Sequence, residues 1–460
     1  MDKSLLLLTL FLISSCATSE RQTTTVHFAG EIVNPTSDYV VLYKGDSALD
    51  SVTLDENNRF VMELDSVDEG LYNFYHYPEY QYVFLESGDS LQIRLNTHYF
   101  DESLVFSGQG EEVNNFLIEM FLAHEKEEDL IYDLYKLEPD DFCKRIDSLS
   151  DIKVQQLDEI HEETPLSEEA YEMARASIDY NTFFYKEPYP YYHKKKKGEK
   201  SMHELPDSFY AYHHRVDFDN QELTYLRPYY NFMKYHLGNL SYINCKKGCM
   251  TADKKMVKNQ LHFNRHQLYM IDSLVQQKVL RDNLFRNVAF EYLLKHDSEE
   301  NIELFIEEFH ELSGNNRHID EIDRLYKAIK KIQPNKAIPS ITVYNASGEQ
   351  HGLDELSKGR QVVFYFWSAP QKGHFKNIRK RVTELKSQYP EYTFIGINLR
   401  TDLGRWKTML DEYDLDKSEQ FWAEDYKEVA HALVVYDPFK SIIAKNGTIV
   451  DAFANVYSSF

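Results

Sequence analysis

The sequence is poor in cysteine, which occurs four times in 460 residues. No two cysteines are spaced as Cys-x-x-Cys, and Cys245-Lys-Lys-Gly-Cys249 has no adjacent histidine that would complete a zinc set. In an oxidising compartment this pair could close a small loop, since Gly248 eases the turn, or it could remain as two free thiols. A loop-closing disulfide and two free thiols would both be structural, and a redox centre is the third alternative for this pair. Cys143 is the odd cysteine and is expected to be buried.

Positive charge is also in deficit. Lysine and arginine number 51 against 75 acidic residues, which gives a net charge of −24. This balance excludes a nucleic-acid partner, because phosphate contacts need a clustered cationic face. The lysine run KKKKGEK at 194–200 is the local exception. It is predicted to be a solvated loop, with a patch for phosphate or lipid headgroups as the alternative.

The apolar run near the N-terminus, from Leu5 to Ile13, is too short to span a bilayer. It follows Lys3 and leads into Ile13-Ser14-Ser15-Cys16, which resembles a bacterial lipobox. The pattern predicts a signal peptide over residues 1–16, a diacylated Cys16 as lipid anchor and a linker over 17–25. Several acyl chains on one cysteine anchor a protein durably. The alternative is an ordinary signal peptide with a chance cysteine.

Residues 26–110 alternate apolar and polar positions between turn-forming residues, which predicts a small antiparallel β-sandwich. The segment ends in FSGQGEEVNNFLIEM, where Gly108 and Gly110 precede a helix. Val113 occupies the third glycine position of a G-x-G-x-x-G motif, so a strand-to-helix turn is predicted rather than a phosphate loop. Residues 111–333 carry long amphipathic stretches and are predicted to form a helical domain.

The helical segment is rich in Tyr and Phe, as in YNTFFYKEPYPYYH and LRPYYNFMKYHL. These residues could form a core between short helices or a recognition surface for a sugar or peptide. Two histidine pairs are candidate metal ligands. His262 and His266 share a helix face, but Phe263 stands where a zinc protease has its Glu, and the adjacent His213-His214 cannot share a face. No metal site and no cofactor are predicted.

From residue 334 onward, strands alternate with amphipathic helices, which predicts a helix-flanked mixed sheet. The stretch FYFWSAPQKGHFKNI contains the end of an apolar strand, a short turn and the start of a helix. Four apolar residues follow at helical spacing. They are Phe375, Ile378, Val382 and Leu385.

Residues 335–460 resemble the TlpA-like branch of the thioredoxin superfamily. The strand that ends in Phe366-Trp367, the strand FIGINL and the segment Asp437-Pro438 carry the resemblance. Other matching positions are Pro339, Gly348, Trp406 and Gly447. The β-rich segment with its SGQGEEVNNFL is similar to the β-domain that precedes a helical region in lipid-anchored TlpA-like proteins. The expected fold is therefore multidomain α+β, with an N-terminal antiparallel β-sandwich, a helical middle domain and a C-terminal thioredoxin-like α/β domain.

The resemblance implies roles for individual positions. Gln371 stands at the nucleophile position, His374 at the resolving position, Pro438 at the cis-proline position, and Trp367 at the end of the preceding strand. Thiol–disulfide exchange requires a thiolate, which the positive end of a helix stabilises. Glutamine has no nucleophilic atom and histidine cannot form a mixed disulfide. The active site is thus predicted to be degenerate, and the protein is not expected to be an enzyme.

The scaffold could still bind an extended peptide through main-chain hydrogen bonds, or it could be only a packing module. The hypothesis is a redox-inactive lipoprotein of a Gram-negative outer membrane, on the periplasmic face or the cell surface. It would act by binding, as an accessory subunit of an outer-membrane complex such as one for nutrient import, with a peptide or glycan as a further ligand. The alternatives are a thiol-disulfide oxidoreductase of the envelope that uses Cys245 and Cys249, or a hydrolase within the Tyr-rich segment.

Overall fold

The computed structural model describes residues 24–201, 205–248 and 260–460, without the side chains of 244–248. The described chain is mixed α/β with several sheets, and it divides into two compact units, one ending at His236 and the other beginning at Leu237. The helices of the predicted helical domain belong partly to each unit, and the bounds of that domain stay a prediction. The predicted anchor at Cys16, the Cys245 side chain and Cys249 lie outside the described residues.

Two four-stranded sheets form the β-rich part of the first unit. Their strand orders are β4-β1-β7-β8 and β3-β2-β5-β6. The strands are β1 (Val26–Val33), β2 (Tyr39–Lys44), β3 (Ser47–Thr53), β4 (Arg59–Leu64), β5 (Gly70–His76), β6 (Glu79–Leu85), β7 (Ser90–Asn96) and β8 (Val105–Gln109). The sheets share one apolar core, to which Phe28, Leu42 and Phe74 contribute fully buried side chains.

The antiparallel prediction was wrong for one pair, because β1 and β7 run parallel. Between β1 and β7 the chain forms β2 and β3 in the other sheet, returns as β4, crosses again to form β5 and β6, and returns as β7. A crossover of this kind joins parallel neighbours, whereas a tight hairpin joins antiparallel ones. Alternation along single strands cannot distinguish the two arrangements.

The helices of the first unit follow the sheets. They are α1 (Phe100–Ser103), α2 (Glu111–Leu134), α3 (Pro139–Glu163), α4 (Glu168–Lys186), α5 (Tyr189–Lys197) and α6 (Arg227–Gly248), of which the residues to His236 belong to this unit. Short 3₁₀ helices cover Thr97–Tyr99 and Asp207–Arg215.

Most aromatic side chains of the Tyr-rich segment are buried, among them Tyr189, Tyr229 and Phe232. Tyr189 packs against Phe142 of α3 with ring centroids 4.5 Å apart. For these rings the core-packing alternative is confirmed. The lysine run begins inside α5 rather than in a loop, because helix formation continues to Lys197 and ends where Gly198 adopts a positive φ of 69°.

Two adjacent asparagines attach α2 to both sheets. The Asn114 amide accepts from the N–H of Phe84 at 2.7 Å and donates to its carbonyl at 2.8 Å. Asn115 makes the same pair of bonds to Phe106, at 3.0 and 2.9 Å. Phe84 lies on edge strand β6 and Phe106 on edge strand β8. The asparagines therefore satisfy edge backbone groups that a further strand would otherwise bind.

The Gly108 and Gly110 segment is a strand-to-helix turn, as predicted. A Cβ on Gly108 would lie 2.2 Å from the carbonyl oxygen of Ser90 on the paired strand, and φ is +99°. Gly110 precedes α2 with φ of +95°. Both positions require glycine for backbone reasons, which accounts for the motif without a phosphate.

The second unit contains helical hairpins followed by a seven-stranded sheet. Its elements are α7 (Gln260–Leu274), α8 (Lys278–Leu294), α9 (Glu299–Ser313), α10 (Ile319–Lys331), β9 (Thr342–Tyr344), β10 (Gln350–Gly352), α11 (Leu353–Leu356), β11 (Gln361–Trp367), α12 (Lys372–Gln388), β12 (Tyr392–Asn398), α13 (Leu403–Glu412), β13 (Gln420–Trp422), α14 (Tyr426–Ala432), β14 (Lys440–Lys445) and β15 (Thr448–Asn455). Within the described residues, no helix has the length and apolar character needed to cross a membrane.

The strand order of this sheet is β10-β9-β13-β12-β11-β14-β15. Strands β11 and β12 are parallel and joined by α12, while β14 is antiparallel to both β11 and β15. This arrangement is the mixed, helix-flanked sheet that the C-terminal sequence predicted. The helical spacing is also confirmed, because the four apolar residues of α12 are buried, namely Phe375, Ile378, Val382 and Leu385.

We predict that Asn114→Leu lowers the free energy of unfolding by about 2–4 kcal/mol, because the buried N–H and C=O of Phe84 each lose a partner. Urea unfolding followed by far-UV circular dichroism measures the change. Glu119→Leu is the control, since Glu119 is an exposed residue of the same helix, and its effect should remain within about 0.5 kcal/mol. Equal stabilities of the two variants would contradict the role given to Asn114.

Candidate functional site

The candidate site lies where β11 ends and α12 begins. After Gln361, strand β11 consists of β-branched and aromatic residues, all of them buried. A turn follows it, in which the Ala369 N–H donates to Thr401 Oγ1 at 3.0 Å and Ser368 Oγ donates to Gln371 Oε1 at 3.2 Å. Gln371 is the exposed N-cap residue of α12, and its side chain makes no capping bond. The structure thus places Gln371 at the helix N-terminus, where a thiolate would be stabilised.

The His374 side chain is bound to strand β11 and is only partly exposed. Its Nε2 lies 3.0 Å from the carbonyl oxygen of Phe366, so Nε2 carries the proton and donates this bond. The ring contacts Phe439 edge to face, with centroids 5.4 Å apart. An imidazole fixed in this tautomer by a strand carbonyl is a structural group and supplies no sulfur for a mixed disulfide.

Trp367 is buried beneath the site at the end of β11. Its indole N–H donates to Gln420 Oε1 at 3.0 Å, and Gln420 Nε2 donates to the hydroxyl of Tyr365 at 2.8 Å. Burial raises the pKa of Tyr365 to about 12, so this hydroxyl stays neutral. A satisfied buried network of this kind fixes the positions of its members, and here it fixes the end of β11.

Pro438 does not have the predicted cis bond. In the described part of the chain the cis peptide bond precedes Pro78, so the Asp437–Pro438 bond is trans. The Lys440 N–H donates to the Asp437 carbonyl at 3.1 Å, and the Phe439 N–H donates to Asp437 Oδ1 at 2.8 Å. These bonds form a turn with proline at its second position, where a trans proline is favoured.

A cavity of about 70 Å³ lies between the helix N-terminus and this turn. Its lining includes Ser368, Gln371, Arg400, Tyr436 and Pro438. The structure therefore brings the predicted site positions Trp367, Gln371 and Pro438 to one cavity. Pockets for drug-sized ligands begin at roughly 300 Å³. A space of this size fits one side chain of a partner better than a small-molecule substrate.

Exposed aromatic side chains lie at the cavity and next to it, since Tyr436 lines the cavity and Phe439 follows the lining residue Pro438 in the chain. Tyr436, Phe439 and Tyr457 are 46%, 40% and 41% exposed. Phe439 contacts Tyr457 edge to face at 5.5 Å on one side and His374 on the other. Arg400 is exposed at the cavity, with its guanidinium 5.6 Å from the Tyr426 ring. Aromatic residues and arginine are the side chains enriched in protein–protein interfaces.

Lys440 supports the wall of this cavity and was not singled out by the sequence. Its buried Nζ donates to the carbonyls of Leu433 and Val434 at 2.7 and 3.0 Å. Val434 is β-branched and has a φ of +54°, a conformation that costs about 1–3 kcal/mol. Burial lowers the pKa of Lys440 to about 7, although Asp451 and Asp437 act in the opposite direction. The available signal was a lysine that directly precedes the short apolar run Ile442-Ile443-Ala444.

Within the described residues, no cysteine belongs to the candidate site. Cys143 is partly buried, less than predicted, and is not in a disulfide. Burial raises its pKa, which disfavours the thiolate. Cys16 and Cys249 lie outside the described residues, as does the Cys245 side chain, so the predicted loop disulfide stays a prediction.

A larger cavity, with a volume of about 1440 Å³, lies in the first unit, and the charged residues of its lining are mostly acidic. Some of its charged groups have partners within the lining. Asp179 binds both Arg175 and Arg215, and the Tyr171 hydroxyl donates to Asp158 at 2.6 Å. We place the candidate site in the second unit because the predicted positions Trp367, Gln371 and Pro438 line the cavity there.

No family model matches the chain, and no curated protein matches it. Among solved structures, the thioredoxin domain of a thiol-disulfide oxidoreductase from Bacteroides vulgatus shares 20% identity over 26% of this chain and 86% of that chain, with a TM-score of 0.22. A secreted disulfide oxidoreductase from Mycobacterium tuberculosis shares 22% identity over 25% and 83%, with a TM-score of 0.21.

A thioredoxin-like protein from Bacteroides caccae shares 14% identity over 43% of this chain and 75% of that chain, with a TM-score of 0.31. The structural neighbours are thus thioredoxin-like and overlap only part of the chain. At these TM-scores they support no argument about the site, which depends on the contacts described above.

We predict that the second unit becomes more stable from pH 7 to pH 9 because of Lys440. The unfolded chain holds this proton up to about pH 10.5, whereas the folded chain releases it near pH 7, so the unfolding free energy rises with pH by on the order of 2 kcal/mol over this window. Tryptophan fluorescence during urea unfolding follows this unit alone, because all three tryptophans lie in it.

Lys440→Met should abolish most of this rise. Lys445→Met is the matched control, since Lys445 is an exposed lysine of the same strand, and it should keep the wild-type pH dependence. A wild-type slope in the Lys440→Met chain would show that the buried amine does not titrate as described.

Proposed function

We propose that the second unit binds a polypeptide segment of a partner protein at the Gln371 cavity and does not exchange disulfides. The proposal rests on the residues at the two positions where the resemblance implies cysteines, which here are Gln371 and His374. Gln371 is an exposed N-cap without a nucleophilic atom, and His374 is bound to a strand carbonyl. Binding needs neither sulfur, so it is compatible with both residues.

The binding mode that we propose differs from the one the resemblance implies. With Pro438 trans and its turn closed by Asp437, main-chain pairing along a cis-proline edge is not the main contact. Instead, a partner side chain enters the cavity while Phe439 and Tyr457 supply apolar area around it. Exposed, rigid aromatic rings lose little conformational entropy on binding, which favours them as contact residues.

The wider setting belongs to the same proposal. The protein would be anchored by lipid on Cys16 in the outer membrane of a Gram-negative cell and would act as an accessory subunit of a membrane complex, such as one for nutrient import. The lipobox-like Ile13-Ser14-Ser15-Cys16 supports the anchor. The charge of −24 supports a protein or glycan partner over nucleic acid.

Thiol–disulfide exchange is the second candidate function. It is favoured by the activity named for the structural neighbours, the thioredoxin domain from Bacteroides vulgatus and the secreted protein from Mycobacterium tuberculosis. In this chain it would require Cys245 and Cys249, which are not spaced as Cys-x-x-Cys. It predicts that replacing both with serine abolishes a measurable reductase activity, whereas the binding proposal predicts that there is none to abolish.

We predict that Phe439→Ser reduces the recovery of partner proteins when the anchored chain is purified from its own cells in mild detergent. A buried aromatic at the centre of an interface contributes on the order of 2 kcal/mol or more, so recovery should fall several-fold. Leu403→Ser is the control, because Leu403 is 38% exposed in the same unit and lies outside the cavity lining. Equal recovery with both variants would remove the aromatic surface as the contact.

We predict that Cys16→Ala leaves the protein unprocessed or soluble after cell fractionation. Each buried acyl methylene contributes about 0.8 kcal/mol to membrane affinity, so the lipid should dominate it. Immunoblots of membrane and soluble fractions measure the partition. If the variant remained in the outer membrane at the wild-type level, the anchor would have to be placed elsewhere.

A further inference from the structure

Three side chains that are far apart in the sequence meet inside the first unit. Glu187 follows the last residue of α4, His213 lies on the 3₁₀ helix Asp207–Arg215, and His236 lies on α6. One potential ligand atom from each is within 4.8 Å of the other two. Because three separate elements supply these atoms, their convergence depends on the tertiary fold.

The distances centre on one carboxylate oxygen. Glu187 Oε1 is 2.7 Å from His236 Nδ1 and 3.4 Å from His213 Nε2. The two imidazole rings are edge to face, with centroids 4.5 Å apart. Zinc–nitrogen and zinc–oxygen bonds of about 2.0–2.2 Å separate tetrahedral ligands by roughly 3.3 Å. Small side-chain rotations would therefore bring all three atoms around one ion.

The burial of this cluster favours a cation. The side chains of Glu187 and His236 are 1% and 3% exposed, and that of His213 is 27% exposed. A carboxylate at the end of a helix also faces the negative end of its dipole, where cations are favoured. A bound metal ion would offset both the desolvation of the carboxylate and this repulsion.

One nitrogen is already directed at the cluster without a hydrogen bond. His213 Nε2 is shielded from solvent and, within the described residues, makes no hydrogen bond. The Tyr212 hydroxyl donates to Glu187 Oε1 at 2.9 Å. Hydrogen bonds of this type orient carboxylate ligands in metal sites.

We propose that Glu187, His213 and His236 bind one divalent transition-metal ion, with zinc as the preferred ion and water as the fourth ligand. Two imidazoles and one carboxylate suit zinc and its neighbours, whereas calcium and magnesium require mostly oxygen ligands. The ion would join α4, the 3₁₀ helix and α6.

The sequence gives no indication of this set, because its members are separated by 26 and 23 residues. From the sequence, only two pairs of histidines close to one another were candidate metal ligands. His213 was a candidate only together with its neighbour His214. Ligand spacing identifies sites within one helix or loop. It cannot identify ligands that three separate elements bring together.

The test is zinc binding by the full chain after treatment with EDTA and dialysis. Calorimetric titration of zinc chloride against a competing chelator should show a site that His213→Ala weakens by at least roughly tenfold to a hundredfold, the loss that even an outer-shell substitution brings. Zinc should also raise the melting temperature of the wild-type chain and not that of this variant, because an ion that binds only the folded state stabilises it.

His214→Ala is the matched control, because His214 is an exposed histidine of the same 3₁₀ helix, and it should bind zinc as the wild type does. A chain with both His262→Ala and His266→Ala excludes that pair as the source of the signal. Cobalt provides a second measurement, since its visible absorption bands should disappear with His213→Ala and persist with His214→Ala.

His213→Gln replaces the alanine variant if the latter loses the wild-type circular dichroism spectrum. The proposal is overturned if the wild-type chain binds no zinc, or if the His213 variants bind it with wild-type affinity and stoichiometry. None of these outcomes depends on the Gln371 cavity, so the metal site and the proposed function are tested separately.

Discussion

The packing of α12 against β11 and β12 is the interaction on which the candidate site depends. Phe375, Ile378 and Leu385 on the helix are buried in one cluster with Tyr365 and other side chains of the sheet. Fully burying a side chain of this kind contributes about 1.5–3 kcal/mol. This cluster fixes the start of α12 directly above the end of β11. The site therefore has a rigid base, on which Gln371 and His374 are placed.

The opposite wall of the cavity is less stable by itself. The residues before Pro438 include Val434 in a left-handed conformation, and the buried Lys440 amine satisfies the carbonyl there. A cationic or neutral amine can donate these bonds, but burial favours the neutral form. The wall is thus tied to the sheet by a group whose pKa lies near neutral pH, while α12 is held by apolar packing that does not depend on pH.

The parts of this structure that the sequence predicted are those set by local periodicity. The spacing of Phe375, Ile378 and Val382 is sufficient to define the buried face of α12, because the helical repeat is a property of neighbouring residues. The parallel pairing of β1 with β7 could not be predicted in this way, since it depends on the path of the chain through the other sheet.

The candidate site also has features that the sequence predicted and features that depend on the tertiary fold. Gln371 and His374 were placed correctly at the end of β11 and in the first turn of α12, because strand, turn and helix are contiguous. The cis form of Pro438 was assigned from the resemblance, and the Asp437 side chain produces a different local turn. Lys440 and the Glu187 cluster were missed because their importance arises from burial and from contacts between distant elements.

The central proposal is that the second unit binds a partner at the Gln371 cavity and does not exchange disulfides. Insulin reduction by the full wild-type chain, compared with a Gln371→Cys/His374→Cys variant and with Gln371→Cys alone, tests this claim most directly. The account predicts that the wild type adds nothing to the rate of the reductant. The double variant should form an internal disulfide, because adjacent turns of a helix bring such cysteines within bonding distance, and it should exceed the single variant. Wild-type turnover above the reductant control would contradict the account.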